Sequence, residues 1–206
     1  MKIESIKPGK RDKDKLVIRT ECGSYISARI DDAYKFRVGD EISCEEAAEL
    51  ERAYNAETVK RSAARSLSHH SMSRYDLEKK LKSRGYSEEE SSSAADWFEE
   101  KGIIDDASYA RAAAEYYKNR GYGELRIREE LKRRGIEREL IDEILDELPS
   151  SYDEISSLIR KKLRGEVTDA DKKRKLIAFL LRRGFKFDEI RMAMNDLELD
   201  TEGLED

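Results

Sequence analysis

Cysteine and proline are nearly absent from this 206-residue chain, which has 2 of each, and glycine is sparse at 11. Cys22 and Cys44 have neither the number nor the spacing of a disulfide framework or a zinc site. With so few breakers, each proline or glycine should mark the end of an element. Long apolar runs are missing too: no stretch approaches the roughly 18 residues that would span a bilayer. Met1-Lys2-Ile3-Glu4 does not read as a signal peptide, so a soluble, cytoplasmic protein with no membrane partner is expected. Apolar residues make up only 38% and charged residues 42%. That is thin for one compact core but enough for stacked helical layers, each of which buries only a contact face. The 41 basic residues are outnumbered by 46 acidic ones, for a net charge of -5. A uniformly basic nucleic-acid binder is thereby excluded, while a polarised surface is not.

The first forty residues alternate in the manner of strands. Lys2 to Lys7, Leu16 to Thr20 and Tyr25 to Ile30 are separated by polar turns at Pro8–Asp14 and Glu21–Ser24. A small antiparallel meander is expected. Ser43 followed by Glu46 has the spacing of a capping box, in which each side chain satisfies a backbone donor at a helix start. A helical face then runs through Ala47, Leu50, Ala53 and Tyr54 and on through Val59, Ala63, Ala64 and Leu67, and Asn55–Ala56 either breaks it or does not.

Beyond that point the chain repeats itself at an interval of about fifty residues. Gly85, Gly135 and Gly184 are each preceded by arginine (Arg84, Arg134, Arg183) and, four residues back, by Leu81, Leu131 and Leu180. Eight residues back stand Leu77, Ile127 and Leu176, and the next residue on is Tyr86, Ile136 or Phe185. Apolar residues recur nine, ten and thirteen positions after each glycine, for example Ile144, Leu145 and Leu148. The leucines stack on one helix face. Each arginine falls in the last turn, where the helix dipole favours positive charge, and each glycine supplies the left-handed residue past the helix end. Every unit thus reads as helix, glycine turn, helix, with Ser87, Glu137 and Asp188 leading into the later helix. A preceding helix (58–70, 107–120 and 150–165) completes three. The fold class expected is mainly α: three tandem three-helix repeats in an elongated array, after a small β-rich region. The divisions are 1–43 for the strands, 44–57 for a connecting helix, 58–104, 105–149 and 150–200 for the repeats, and 201–206 for a tail.

Basic residues crowd the middle helices: Lys79, Lys80 and Arg84; Arg126, Arg128, Lys132 and Arg133; Lys172, Lys173, Arg174 and Arg182. Acidic residues crowd the helices that follow, from Glu88 to Glu100, Glu137 to Glu147 and Asp188 to Glu198. Either each basic helix pairs with its acidic neighbour or both are simply solvated, or else stacking aligns the basic helices into a stripe facing DNA or an acidic protein surface.

Other candidates reduce to structure. His69–His70 has no third ligand in reach and reads as a linker. One of Asp105 and Asp106, directly before a helix, reads as an N-cap. Gly121-Tyr122-Gly123 follows no strand and is no nucleotide loop. Trp97, Tyr109, Tyr116 and Tyr117 lie at helical positions suited to a core rather than to base stacking. No catalytic, cofactor or metal constellation emerges, and a monomeric binding protein, not an enzyme, is expected. Ser91-Ser92-Ser93 stands where the other copies carry Leu140-Ile141 or Ile190-Arg191, so the first repeat should pack more weakly there.

With these residues in place the chain resembles the RecX regulators of the RecA recombinase. Ser73 to Leu81 running into Arg84-Gly85-Tyr86 is similar to that family's first repeat. Gly102-Ile103-Ile104-Asp105-Asp106-Ala107-Ser108-Tyr109-Ala110 is similar to its apolar-Asp-Asp turn before an aromatic-Ala pair. Gly121-Tyr122-Gly123, Ile127, Glu130-Leu131 and Arg134-Gly135-Ile136 are similar to its second repeat. The resemblance spans about 58–200 and implies binding to RecA filaments on DNA, with restraint of filament growth, strand exchange and ATP hydrolysis. An autonomous DNA-binding module is the alternative.

Overall fold

The computed structural model describes residues 1–10, 12–163 and 169–197. They group into two compact units: residues 1–71 with 77–103, and residues 72–76 with 104 onward.

In the first unit three strands, β1 (Ile3–Pro8), β2 (Lys15–Thr20) and β3 (Tyr25–Arg29), form the expected antiparallel meander in the order β1-β2-β3. Alternation sends Ile18, Ile26 and Ala28 inward, where they join Ile3, Phe36, Ile42, Ala47 and Leu50 in one core. A four-residue helix, α1 (Ile30–Ala33), follows β3 and was not legible as a helix. Helix α2 (Cys44–Leu67) begins at the capping box of Ser43 and Glu46. It then passes through Asn55–Ala56 without a break. Its early residues Ala47 and Leu50 close the sheet's core, while its later half packs on α4. The helix expected at 58–70 is therefore the second half of a longer one. Helices α3 (Arg74–Ser83) and α4 (Glu88–Glu100) complete the repeat, with Leu77, Leu81, Ala94, Ala95 and Phe98 buried. Ser91 is fully buried in the place that Ile141 and Ile190 fill elsewhere, and its hydroxyl donates to the Ser87 carbonyl at 2.7 Å. The polar group is satisfied, but its aliphatic bulk is missing.

The second unit holds α5 (Asp106–Asn119), α6 (Glu124–Arg133) and α7 (Arg138–Glu147), then α8 (Tyr152–Leu163), α9 (Ala170–Arg182) and α10 (Phe187–Asp196). Ala110, Ala114, Ile127, Leu131, Ile136, Ile141, Ile144 and Leu145 form one core. Ile155, Ile159, Leu176, Leu180, Phe185, Ile190, Ala193 and Met194 are among the residues of the other. Each middle helix ends as expected. Gly85, Gly135 and Gly184 have φ of 95°, 73° and 87°. The amides of Tyr86, Ile136 and Phe185 reach back to the carbonyls of Leu81, Leu131 and Leu180, a Schellman closure.

Three details differ from expectation. The residue that caps α10 is Lys186, and Asp188 lies within its first turn. Tyr116 is 53% exposed rather than core. Helix α9 starts a turn earlier relative to its glycine than α3 and α6 do, because Asp169 supplies an N-cap to Lys172. Residues 164 and 165, Glu198 and the 201–206 tail lie outside the described residues.

Candidate functional site

The signature residues build a joint that occurs twice within the second unit. The Ser73 hydroxyl, twelve residues before its own glycine, donates to the Arg134 carbonyl at 2.7 Å and accepts the Asp76 amide at 3.2 Å. The Gly123 amide, also twelve residues before its glycine, donates to the Arg183 carbonyl at 2.9 Å, and Leu125 donates to Gly184 at 3.0 Å. The start of one middle helix thus seats on the arginine-glycine turn of the next. The seat is tight: a Cβ at Gly135 would fall inside 3.0 Å of Tyr75, and one at Gly184 inside 3.0 Å of the Arg126 backbone.

The arginines do more than complement a dipole. Arg134 donates to the hydroxyls of Tyr109 at 2.6 Å and Tyr117 at 3.1 Å and pairs with Asp76 at 3.2 Å. Those partners, Tyr117 foremost, raise the affinity of its guanidinium for its proton, and burial pushes the Tyr109 hydroxyl up. Arg183 donates to the carbonyls of Arg120 and Gly121 at 2.7 and 2.9 Å. In the first unit Arg84 reaches the carbonyl and hydroxyl of Ser62 at 3.1 and 2.7 Å, which makes it a packing residue although it is exposed.

The paired aspartates divide the work. Asp105 caps α5, accepting the Ser108 amide at 2.9 Å and its hydroxyl at 2.7 Å. Those bonds hold its carboxyl below the usual carboxylate range. Asp106 accepts the Arg74 amide at 2.8 Å and so satisfies a donor at the start of α3. One aspartate caps its own helix and the other the preceding middle helix, which explains a doubled acid where one would suffice for capping.

Of the candidate contact residues, some are drawn into the fold. Arg128 bridges Glu124, at 3.4 Å, and Asp142 of α7, and holds the Asp142 carboxyl low. Arg126 pairs with Glu129 and Glu130 at 3.3 and 2.8 Å. Others stand outward. Lys132 and Arg182 are exposed and make no salt bridge among the described residues. Arg133 touches Glu130 at 3.2 Å and Arg174 touches Asp171 at 3.8 Å, both within their own helices. Lys79 and Lys172 are exposed, and Lys80 and Lys173 half-buried. A salt bridge to a neighbouring acidic helix therefore accounts for Arg128 but not for Lys132, Arg133 or Arg182 in the last turns of α6 and α9.

A cleft of about 480 Å³ lies between α5 and the α7–α8 connection, lined by Arg111, Lys118, Glu147 and Glu154 among others. Its charges largely cancel: Arg111 pairs with Glu143 and Glu147, and Lys118 pairs with Glu154 at 3.4 Å. Among the described residues no three His, Cys, Asp or Glu side chains are placed to hold a metal, and no helix is long and apolar enough to cross a membrane.

Sequence reasoning passed over Ser73, Gly123 and Tyr75 as parts of the joint. The signal was present: Ser73 and Gly123 are both small and share one offset from the repeat glycine, so the alignment could have singled them out.

Comparison with known proteins meets the repeats directly. The profile of the second three-helix domain of RecX matches residues 105–145, and that of the third matches 151–194. Regulatory protein RecX of Vibrio vulnificus is 32% identical over 141 residues, covering 68% of this chain and 92% of the relative. The protein of that name from Pseudomonas tolaasii is 35% identical over 144 residues, covering 69% and 93%. A crystal structure of regulatory protein RecX superposes with a TM-score of 0.71 at 22% identity over 94% of this chain and 98% of that one. RecX from Lactobacillus salivarius gives 0.65 at 22% identity over 72% and 99%.

Proposed function

The chain belongs to the RecX family of regulatory proteins, and from that premise we propose that it binds filaments of the RecA recombinase on DNA and restrains strand exchange and ATP hydrolysis. The observation that supports this reading is the recurrence of outward cations in the last turn of a middle helix. Lys132 and Arg133 close α6, and Arg182 closes α9, each next to a rigid Schellman turn. Cations displayed at a repeating interval suit a partner that is itself a repeating polymer. Modest contacts to successive subunits then add through high effective concentration. Arg128, fixed between Glu124 and Asp142, serves to hold α6 against α7 and is a positioning residue rather than a contact.

The test is retention of the purified chain on its cognate recombinase, with and without single-stranded DNA and a non-hydrolysable ATP analogue. Retention that needs the assembled filament is the expected result. No retention in any state would overturn the proposal. Retention on DNA alone, falling steeply with salt, would favour an autonomous DNA-binding module instead.

A further inference from the structure

The meander has one face that the core does not use. Strand pairing sets Ser5, Arg19 and Tyr25 in one row and Lys7, Val17 and Ser27 in the next, on the side opposite buried Ile18, Ile26 and Ala28. Arg29 follows Ser27 on the same side of β3. Tyr25 is 64% exposed, and the Arg19 guanidinium lies 5.9 Å from its ring centroid. No acid occupies an outward register position of the three strands. Glu4, in the bulge beside Ser5, meets Arg19 at 3.1 Å, and Asp31 meets Arg29 at 3.3 Å, both in solvent-exposed pairs of the kind that contribute little and exchange readily. Residues 1–43 contain ten basic and eight acidic residues, a local net of +2 within a chain of -5.

We propose that this sheet face binds single-stranded nucleic acid. Tyr25 is the stacking platform for one base, and Arg19 beside it, with Lys7 and Arg29 further along the face, neutralises the phosphates of the adjoining nucleotides. A large exposed ring at the edge-strand end of a sheet row contributes nothing to the core, and Arg19 on the central strand braces it from one side. An unstacked base offers the π-face that such a ring accepts, and only a single strand presents one without first breaking a duplex. An acidic protein surface would use the cations but leave the ring without a partner. The site lies in the first unit, on residues other than the outward repeat cations, and does not depend on recombinase binding.

Anisotropy of a labelled oligothymidylate, titrated with the full chain at low salt and without recombinase, reads the site directly. Tyr25→Ala should weaken binding about tenfold, whereas Tyr25→Phe, which keeps the ring, should bind like the parent. Lys7→Glu with Arg29→Glu should weaken binding and flatten the logarithmic salt slope by about 1.4, the share of two phosphate contacts on a single strand. Lys132→Glu with Arg133→Glu should leave oligothymidylate affinity unchanged. Parent-like binding by both the Tyr25→Ala and the Lys7→Glu/Arg29→Glu chains would overturn the proposal, as would no binding by the parent. If the Lys132/Arg133 reversal abolished binding instead, the contact would belong to the repeats.

Discussion

The turns at Gly85 and Gly184 share a left-handed backbone, with φ of 95° and 87°, yet their surroundings differ. A Cβ at Gly85 would meet nothing within 4 Å, whereas one at Gly184 would run into the backbone of Arg126. The first glycine is needed only because the helix must end in a conformation that L side chains adopt at a cost. The last is needed for that and because another helix start rests on it. One sequence mark, Arg-Gly, therefore serves helix termination in every repeat and, among the described residues, docking in the second and third repeats alone.

Substitutions can separate the two roles. The largest effect is expected from Gly184→Ala, which adds backbone strain to overlap with Arg126. A loss of about 3–5 kcal/mol in urea unfolding is expected. Leu131→Ala, in the centre of a core with no exposed surface, should cost about 2–5 kcal/mol by the same measurement without disturbing either turn. Gly123→Ala isolates docking. Its φ of -82° suits any residue, but its Cβ would press on the Gly184 carbonyl group, so about 1–3 kcal/mol of overpacking is expected. Arg128→Glu should lower stability by about 1–2 kcal/mol, because the bridge to Asp142 becomes a repulsion. Lys132→Glu with Arg133→Glu should leave thermal unfolding nearly unmoved. Gly85→Ala isolates strain and should cost about 1 kcal/mol. If Gly85→Ala proved as damaging as Gly184→Ala, the distinction between terminating and docking glycines would fail.

Much of this was legible in the sequence. The meander, the capping box at Ser43, the three Schellman turns and the buried leucines follow from periods and spacings that act locally. The continuity of α2 was not, since Asn55 and Ala56 neither demand nor forbid a helix, and packing on the sheet at one end and α4 at the other decides it. Nor was the second aspartate: local rules find an N-cap in one of Asp105 and Asp106, but the acceptor role of Asp106 needs Arg74, 32 residues earlier, brought beside it by the fold. The basic helices showed the same limit. Composition could not distinguish Arg128, which is consumed by Asp142, from Lys132 four residues later on the same face of α6, because the difference is one of reach: Arg128 meets the Asp142 carboxylate directly, whereas Lys132, a turn further on, acts on it only through its charge.

The central claim is that these repeats act on an assembled recombinase filament. Its most direct test is the steady-state rate of ATP hydrolysis by cognate RecA on single-stranded DNA, measured as this chain is added well below the recombinase concentration. The rate should fall progressively, and the Lys132→Glu/Arg133→Glu chain, folded as the parent is, should need several-fold more protein for the same effect. A rate that stays constant up to stoichiometric addition of the parent chain would contradict the account.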